Sequence, residues 1–130
     1  MIRYYFRKLG KSERGAAMVE FAIIAMLFFA LIFGIIEFGW IFNGYITLEA
    51  AAKEGARLAI IGKTDQEIIN AIKNHAGTFQ IDNVEINKGI RLGSEANITV
   101  TATLPLLIGF FPFIGNTFEM EVVAYMLRES

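Results

Sequence analysis

The feature that most constrains this chain is an apolar run of 21 residues, Ala16–Ile36, in which Glu20 is the only charged residue. As a helix this run would extend about 31 Å, which is close to the thickness of the hydrocarbon core of a bilayer. A buried core helix of a soluble domain is the alternative, but a helix that is apolar on every side at this length is typical of a membrane span. The run therefore predicts a transmembrane helix.

Charge is distributed unevenly along the chain. Residues 1–14 carry five basic residues and one acidic residue, whereas the whole chain has a net charge of −1. Basic residues beside a span favour the cytoplasmic side, and the other flank begins with Glu37. We therefore expect the N-terminus in the cytoplasm and the C-terminus outside. A conventional signal peptide is disfavoured, because its apolar region is about 7–15 residues long and ends at a small-residue cleavage site.

The composition excludes several classes of protein. The chain has 130 residues, 55% of them hydrophobic, and a mean hydropathy of +0.48, so one domain of ordinary size is allowed and a disordered tail is not. The absence of cysteine excludes a disulfide scaffold, and the charge balance argues against a nucleic-acid binder. The single histidine, His75, has no ligand cluster around it in the sequence, and no phosphate loop or nucleophile motif is present. We expect no catalytic, cofactor-binding or metal site.

The residues around Glu20 form a recognisable pattern. A carboxylate inside a membrane span costs at least about 2.5 kcal/mol at the helix centre, so such an acid usually has a partner. The frame RGAAMVEF, residues 14–21, resembles the processing site of type IV prepilins: a short basic leader, a glycine, and an apolar helix with glutamate fifth and an aromatic residue sixth. The wider stretch of residues 14–61 resembles the TadE-like family of pilus-assembly pseudopilins.

The resemblance implies a role for the main residues of the pattern. A prepilin peptidase would cut between Gly15 and Ala16, and Glu20, followed by the aromatic Phe21, would pair with the new α-amine of a neighbouring subunit and set the register of assembly. The implied partners are the cytoplasmic membrane, the peptidase, other pilin subunits and the assembly platform of a Tad or type IV-like pilus, which ends as a filament on the cell surface. Alternatively, Glu20 snorkels to the headgroups beside Arg14, or the chain is a permanent single-pass membrane protein with an extracytoplasmic binding module.

The helical pattern continues beyond the apolar run. A continuous helix over residues 16–61 would be about 69 Å long, and Gly62 is suited to cap its C-terminus. One face of this extension has the spacing of a buried helix face and consists of Tyr45, Leu48, Ala52, Ala56 and Ala59. Three glycines are spaced five residues apart and so form no stripe; we interpret them as points of local flexibility: Gly34, Gly39 and Gly44.

The remainder of the chain predicts a short helix and three strands. Thr64 and Glu67 have the spacing of a capping box, so a helix should follow and end at Gly77. The periodicity then changes to two, with a predicted interruption at Asp82 and Asn83 in the first strand. The alternation is clearest in two later segments, residues 96–104 and 118–126. We predict a three-stranded antiparallel sheet packed on the long helix, which is an α+β fold like that of type IV pilins.

These expectations divide the chain into a basic leader (1–15), a long helix (16–61) with a transmembrane segment (16–42), and an extracytoplasmic α+β module (62–130). Within the module, residues 105–115 contain no charge, which is unusual for a loop. This loop could cover the core of the module, dock on a neighbouring subunit or enter the membrane interface. Its candidate subunit contacts are Phe110, Phe111 and Phe113.

Overall fold

A computed structural model of the protein describes residues 2–89, 93–109 and 115–128, with the side chains of residues 2–12 excepted. The elements are two helices, α1 (Ile2–Ile60) and α2 (Asp65–Ala76), followed by three strands, β1 (Gln80–Asn87), β2 (Glu95–Pro105) and β3 (Thr117–Leu127). The chain divides into two compact units, residues 1–36 and residues 37–130. Phe110, Phe111 and Phe113 lie outside the described residues.

The first unit is the N-terminal part of α1. This helix is long and apolar enough to cross a membrane, with a mean hydropathy of 2.7 in its most apolar window, and none of that window is buried within the chain. Large side chains such as Phe21 and Met26 are about three-quarters exposed. The helix predicted over residues 16–61 begins earlier, at Ile2, and ends at Ile60, so the basic leader continues the same helix.

The second unit contains an antiparallel sheet with strand order β1-β2-β3. The central strand β2 pairs with β3 along its whole length, from Glu95 opposite Leu127 to Pro105 opposite Thr117. Strand β1 pairs with the other edge of β2, and its register shifts between Ile81 and Asn83. The predicted interruption of the first strand is therefore a bulge, and the predicted three-stranded antiparallel sheet and α+β fold are confirmed.

One hydrophobic core joins this sheet to the helices of the second unit. Strand β2 supplies its centre, because every second side chain of the strand is fully buried: Ala96, Ile98, Val100, Ala102 and Leu104. The C-terminal part of α1 contributes mainly small residues, which let the helix lie close to its neighbours: Leu48, Ala51, Ala52, Ala56 and Ala59. Two isoleucines of α2, Ile68 and Ile72, complete the core.

The buried face of α1 differs at one end from the predicted face. Tyr45 is 42% exposed, and Gly44 is buried in its place. A Cβ atom on Gly44 would overlap the Leu104 side chain, so this glycine permits close approach of the helix to β2. The interpretation of Gly44 as a point of flexibility is wrong. Gly55 acts similarly, since a Cβ there would lie 2.7 Å from Ile72 Cδ1.

Local signals at the helix ends are confirmed. Gly62 follows α1 with φ +84°, a left-handed conformation that suits glycine, and its N–H donates to the carbonyl of Ala59. Thr64 caps α2: its Oγ1 accepts from the Glu67 N–H, while the Glu67 carboxylate accepts from the Thr64 N–H. Helix α2 ends at Ala76, just before Gly77. These caps fix where α2 starts and stops beneath the sheet.

Candidate membrane and assembly site

The residues of the predicted processing site, Gly15 and Ala16, are exposed on α1. A Cβ atom on Gly15 would meet no heavy atom within 4 Å, and this glycine does not have a positive φ. Glycine inside a helix is about 1 kcal/mol less favourable than alanine. Neither packing nor backbone conformation within the chain therefore accounts for a glycine at this position.

Glu20 and Phe21 follow within the next turn of the helix. Phe21 is 73% exposed, and Glu20 is also exposed. Across the described residues, Glu20 has neither a hydrogen bond nor an ion pair. Positions 16 and 20 are neighbours on one face of a helix, since they lie four residues apart. The carboxylate of Glu20 thus has no partner in the described chain and lies one turn from the backbone nitrogen of Ala16.

A second acid of α1 has the opposite environment. Glu37, at the start of the second unit, is only 1% exposed. Its Oε1 accepts a hydrogen bond from the backbone N–H of Leu107, and its Oε2 accepts one from the N–H of Ile108, both at 2.9 Å. Hydrogen bonds to an ionised acceptor are roughly twice as strong as neutral ones. Glu37 therefore holds the start of the uncharged loop on α1.

Trp40, one turn further along α1, holds the same stretch of chain. Its indole Nε1 donates to the carbonyl of Pro105 at 2.9 Å, and its ring packs against Phe79 at 5.5 Å between centroids. The N–H of Leu106 donates to the carbonyl of Asn116 at 3.0 Å. We call residues 105–108 the clamped segment, because one carbonyl and three N–H groups of its backbone have a partner. The apolar side chains of Leu107 and Ile108 remain 57% and 39% exposed.

The role of Glu37 is absent from the sequence-based expectations, where this residue is only the charge that ends the apolar run. A signal for it exists in the spacing. Glu37 lies seven residues before Gly44 and eleven before Leu48, so a 3.6-residue period places all three on the buried face of α1. A charge on that face requires a polar partner, but the partner, an uncharged loop 70 residues away, has no polar side chain to reveal it.

An apolar groove lies beside the sheet in the second unit. It has a volume of about 440 Å³ and is lined mostly by apolar residues of α1 and of the start of β3, with two glutamates of β3 among them: Phe38, Ile41, Phe42, Tyr45, Phe118, Glu119, Met120 and Glu121. It holds no cluster suited to a metal, and no group of three or more metal-ligating side chains occurs in the described part of the chain. The described residues thus provide apolar packing surfaces and a hydrogen-bonded carboxylate, Glu37.

The comparison with protein families concerns the N-terminal part of the chain. Residues 15–57 match the family of TadE-like proteins. This segment is similar to TadE-like proteins. The predicted resemblance is therefore confirmed over a stretch that begins at Gly15 and contains both Glu20 and Glu37. The sheet lies outside the TadE-like match, and neither the curated proteins nor the solved structures include a significant match to this chain. The match covers 43 of the 130 residues, about a third of the chain.

Proposed function

We propose that this chain is a structural pseudopilin that is cut between Gly15 and Ala16 by a prepilin peptidase and then assembled through α1 into a Tad or type IV-like pilus. Before assembly it resides in the cytoplasmic membrane, with residues 1–15 in the cytoplasm and the sheet outside. Its partners are the peptidase, neighbouring pilin subunits and the assembly platform. No step of this function requires catalysis by the chain itself.

The observation that carries the proposal is the environment of Glu20. This carboxylate has no partner in the described chain, and it lies in a run of exposed apolar side chains. Cleavage after Gly15 would create an ammonium group on Ala16. Opposite charges in a low-dielectric medium offset the cost of desolvating each of them. Pairing of Glu20 with the ammonium of a neighbouring subunit would therefore favour one axial register between subunits.

Two further observations support the proposal. Gly15 has no packing role among the described residues, which agrees with selection for the peptidase, and the TadE-like match begins at the same residue. The apolar groove beside β3 and the exposed side chains of the first unit both supply surfaces for neighbouring helices. The contact of Phe110, Phe111 and Phe113 with a neighbouring subunit stays a prediction.

The processing step is tested by intact mass spectrometry of the chain from cells with and without an active prepilin peptidase. We expect the wild-type chain to lose residues 1–15 only when the peptidase is active, and G15L to keep them. The matched control is G39L, because Gly39 also lies on α1 and a Cβ atom there would meet no heavy atom within 4 Å. An uncut wild-type chain in the presence of the peptidase would contradict processing.

The assembly step is tested by recovering sheared surface filaments and measuring the processed chain in them. E20Q should be cut normally but be lost from the sheared fraction, while E49Q, which changes a partly exposed acid on the same helix, should be recovered as wild type. If the uncut chain is found only in the membrane, the permanent single-pass protein with an extracytoplasmic binding module is the better description.

A further inference from the structure

We propose that the clamped segment is a second membrane contact, in which Leu107 and Ile108 enter the outer lipid interface at the level of Glu37. Glu37 is the positioning residue that holds the segment there. This contact belongs to the single molecule in its membrane. It requires the membrane anchor and the outside location of the sheet, but neither cleavage after Gly15 nor a filament.

The attachment point of the segment places it at the membrane boundary. Glu37 directly follows the last residue of the apolar run, Ile36, and lies within the predicted transmembrane segment 16–42. Its two hydrogen bonds to Leu107 and Ile108 hold the segment to that point of the helix. Trp40 adds a third hydrogen bond within the next turn, and tryptophan is a residue that favours membrane–water interfaces.

The hydrogen bonding of the segment suits a medium with little water. A loop in water needs no buried carboxylate, because solvent can hydrogen-bond its backbone N–H groups. In lipid, an unsatisfied backbone group costs several kcal/mol. Here the N–H groups of Leu106, Leu107 and Ile108 and the carbonyl of Pro105 all have protein partners. The segment can therefore contact lipid without leaving these groups unpaired.

The clamp also shields the charge of Glu37. A carboxylate that faced hydrocarbon would carry a large desolvation cost, but Glu37 is only 1% exposed. The exposed residues of the segment, Pro105, Leu107 and Ile108, all have apolar side chains. The arrangement thus presents apolar side chains to lipid, while the Glu37 carboxylate and the N–H groups of Leu107 and Ile108 are paired with one another.

The test uses the natural absence of cysteine from the chain. L107C is labelled with an environment-sensitive nitrobenzoxadiazole dye, and the full chain is reconstituted at one copy per nanodisc of phosphatidylcholine and phosphatidylglycerol. Nitroxide-labelled phosphatidylcholine then reports proximity to lipid by quenching. The matched control is L127C, because Leu127 is equally exposed, at 56%, and lies at the opposite end of β3, roughly 30 Å from its start.

We expect the dye at position 107 to emit at shorter wavelength and to be quenched several-fold more strongly than the dye at position 127. Equal quenching at both positions would overturn the proposal. A second outcome would also overturn the proposal. In this outcome the dye at position 107 is quenched weakly in single-copy nanodiscs, and its emission shifts to shorter wavelength only when each disc holds two copies. The segment would then contact a neighbouring subunit and not lipid.

The role of Glu37 is tested in the same L107C background. E37Q keeps the size of the side chain but leaves an amide NH₂ group, which cannot accept, in place of one of the two accepting oxygens. We expect its quenching to fall toward the level at position 127, whereas E49Q should leave it unchanged. If E37Q does not fold, the ratio between positions 107 and 127 in the otherwise unchanged chain still decides the membrane contact.

Discussion

Two glutamates of the same helix, Glu20 and Glu37, have opposite environments. Glu20 is exposed and has no partner in the described chain, whereas Glu37 is buried and accepts two backbone hydrogen bonds. The apolar side chains around each acid follow the same division. Near Glu20 they are large and exposed, while the residues that share the face of Glu37 further along α1 are mostly small and buried.

This difference indicates that the N-terminal and C-terminal parts of α1 have different roles. Its C-terminal part is completed within the molecule, because the sheet, α2 and the clamped segment supply partners for its buried face. Its N-terminal part has no such partners in the described chain, so lipid or other subunits must supply them. Glu20, in the first part, therefore has no partner in the described chain, whereas Glu37, in the second part, stabilises the fold through its hydrogen bonds.

The largest effect on folding should come from E37A. It removes the acceptor of two backbone N–H groups, and hydrogen bonds to charged groups contribute roughly 1.5–3 kcal/mol each, so we expect a loss of about 3–5 kcal/mol in the free energy of unfolding. The measurement is urea unfolding in detergent micelles, followed by the fluorescence of Trp40, which is the single tryptophan and packs on Phe79.

The control for this prediction is E49A on the same helix. Glu49 pairs with Lys53 at 2.7 Å, but the pair is exposed, and such pairs contribute at most about 1 kcal/mol. A loss in E37A as small as that in E49A would break the comparison, because Glu37 would then resemble an ordinary surface acid.

A smaller effect is expected from G44A. Its new methyl group would overlap Leu104, and overpacking of a core costs about 1–3 kcal/mol. The matched substitution is G39A, where a Cβ meets nothing within 4 Å; it should stabilise the helix by up to about 1 kcal/mol. The same unfolding measurement checks both. Equal effects would contradict the division of α1 into a packed face and an open face.

The sequence predicts those parts of this molecule whose signals are local. The alternation along β2 identifies its buried side chains, and the capping box of Thr64 and Glu67 marks the start of α2. The motif around Glu20 is also local, since glycine, glutamate and phenylalanine lie within seven residues. Each of these patterns can be recognised without knowing which parts of the chain meet in space.

What the sequence does not reveal depends on partners far away in the chain. Gly44 is explained only by Leu104, and Glu37 only by two backbone N–H groups about 70 residues further on. Backbone donors leave no mark in the amino-acid sequence, because every residue except proline has one. A charged residue at the end of an apolar run is therefore expected to be in contact with solvent, although here Glu37 is buried.

A third acid, Glu67, tests the intermediate case of an exposed carboxylate with hydrogen bonds. The N–H and the hydroxyl group of Thr64 lower its pKa below the ordinary value of 4.5. Its contribution to stability is therefore present above that value and is lost as the pH falls through the lowered pKa. In acid titrations of the unfolding midpoint, E67Q should lose less stability than wild type below about pH 4.5.

The control here is E119Q, which changes an exposed carboxylate on β3, outside the capping box. If E67Q and wild type lose stability equally, the hydrogen bonds of the capping box add nothing to the acid dependence. The different contributions of these acids to stability would then depend on burial alone.

The smallest effect on folding should come from E20Q. Because Glu20 has no partner in the described chain, its change should leave the free energy of unfolding within about 0.5 kcal/mol of wild type, even though we expect the same variant to be lost from filaments. A large loss in micelles would show that Glu20 has a partner within its own chain, and it would then not be available for a neighbouring subunit. The contrast between an unchanged fold and a lost filament is what distinguishes an acid that serves assembly from one, like Glu37, that serves the fold.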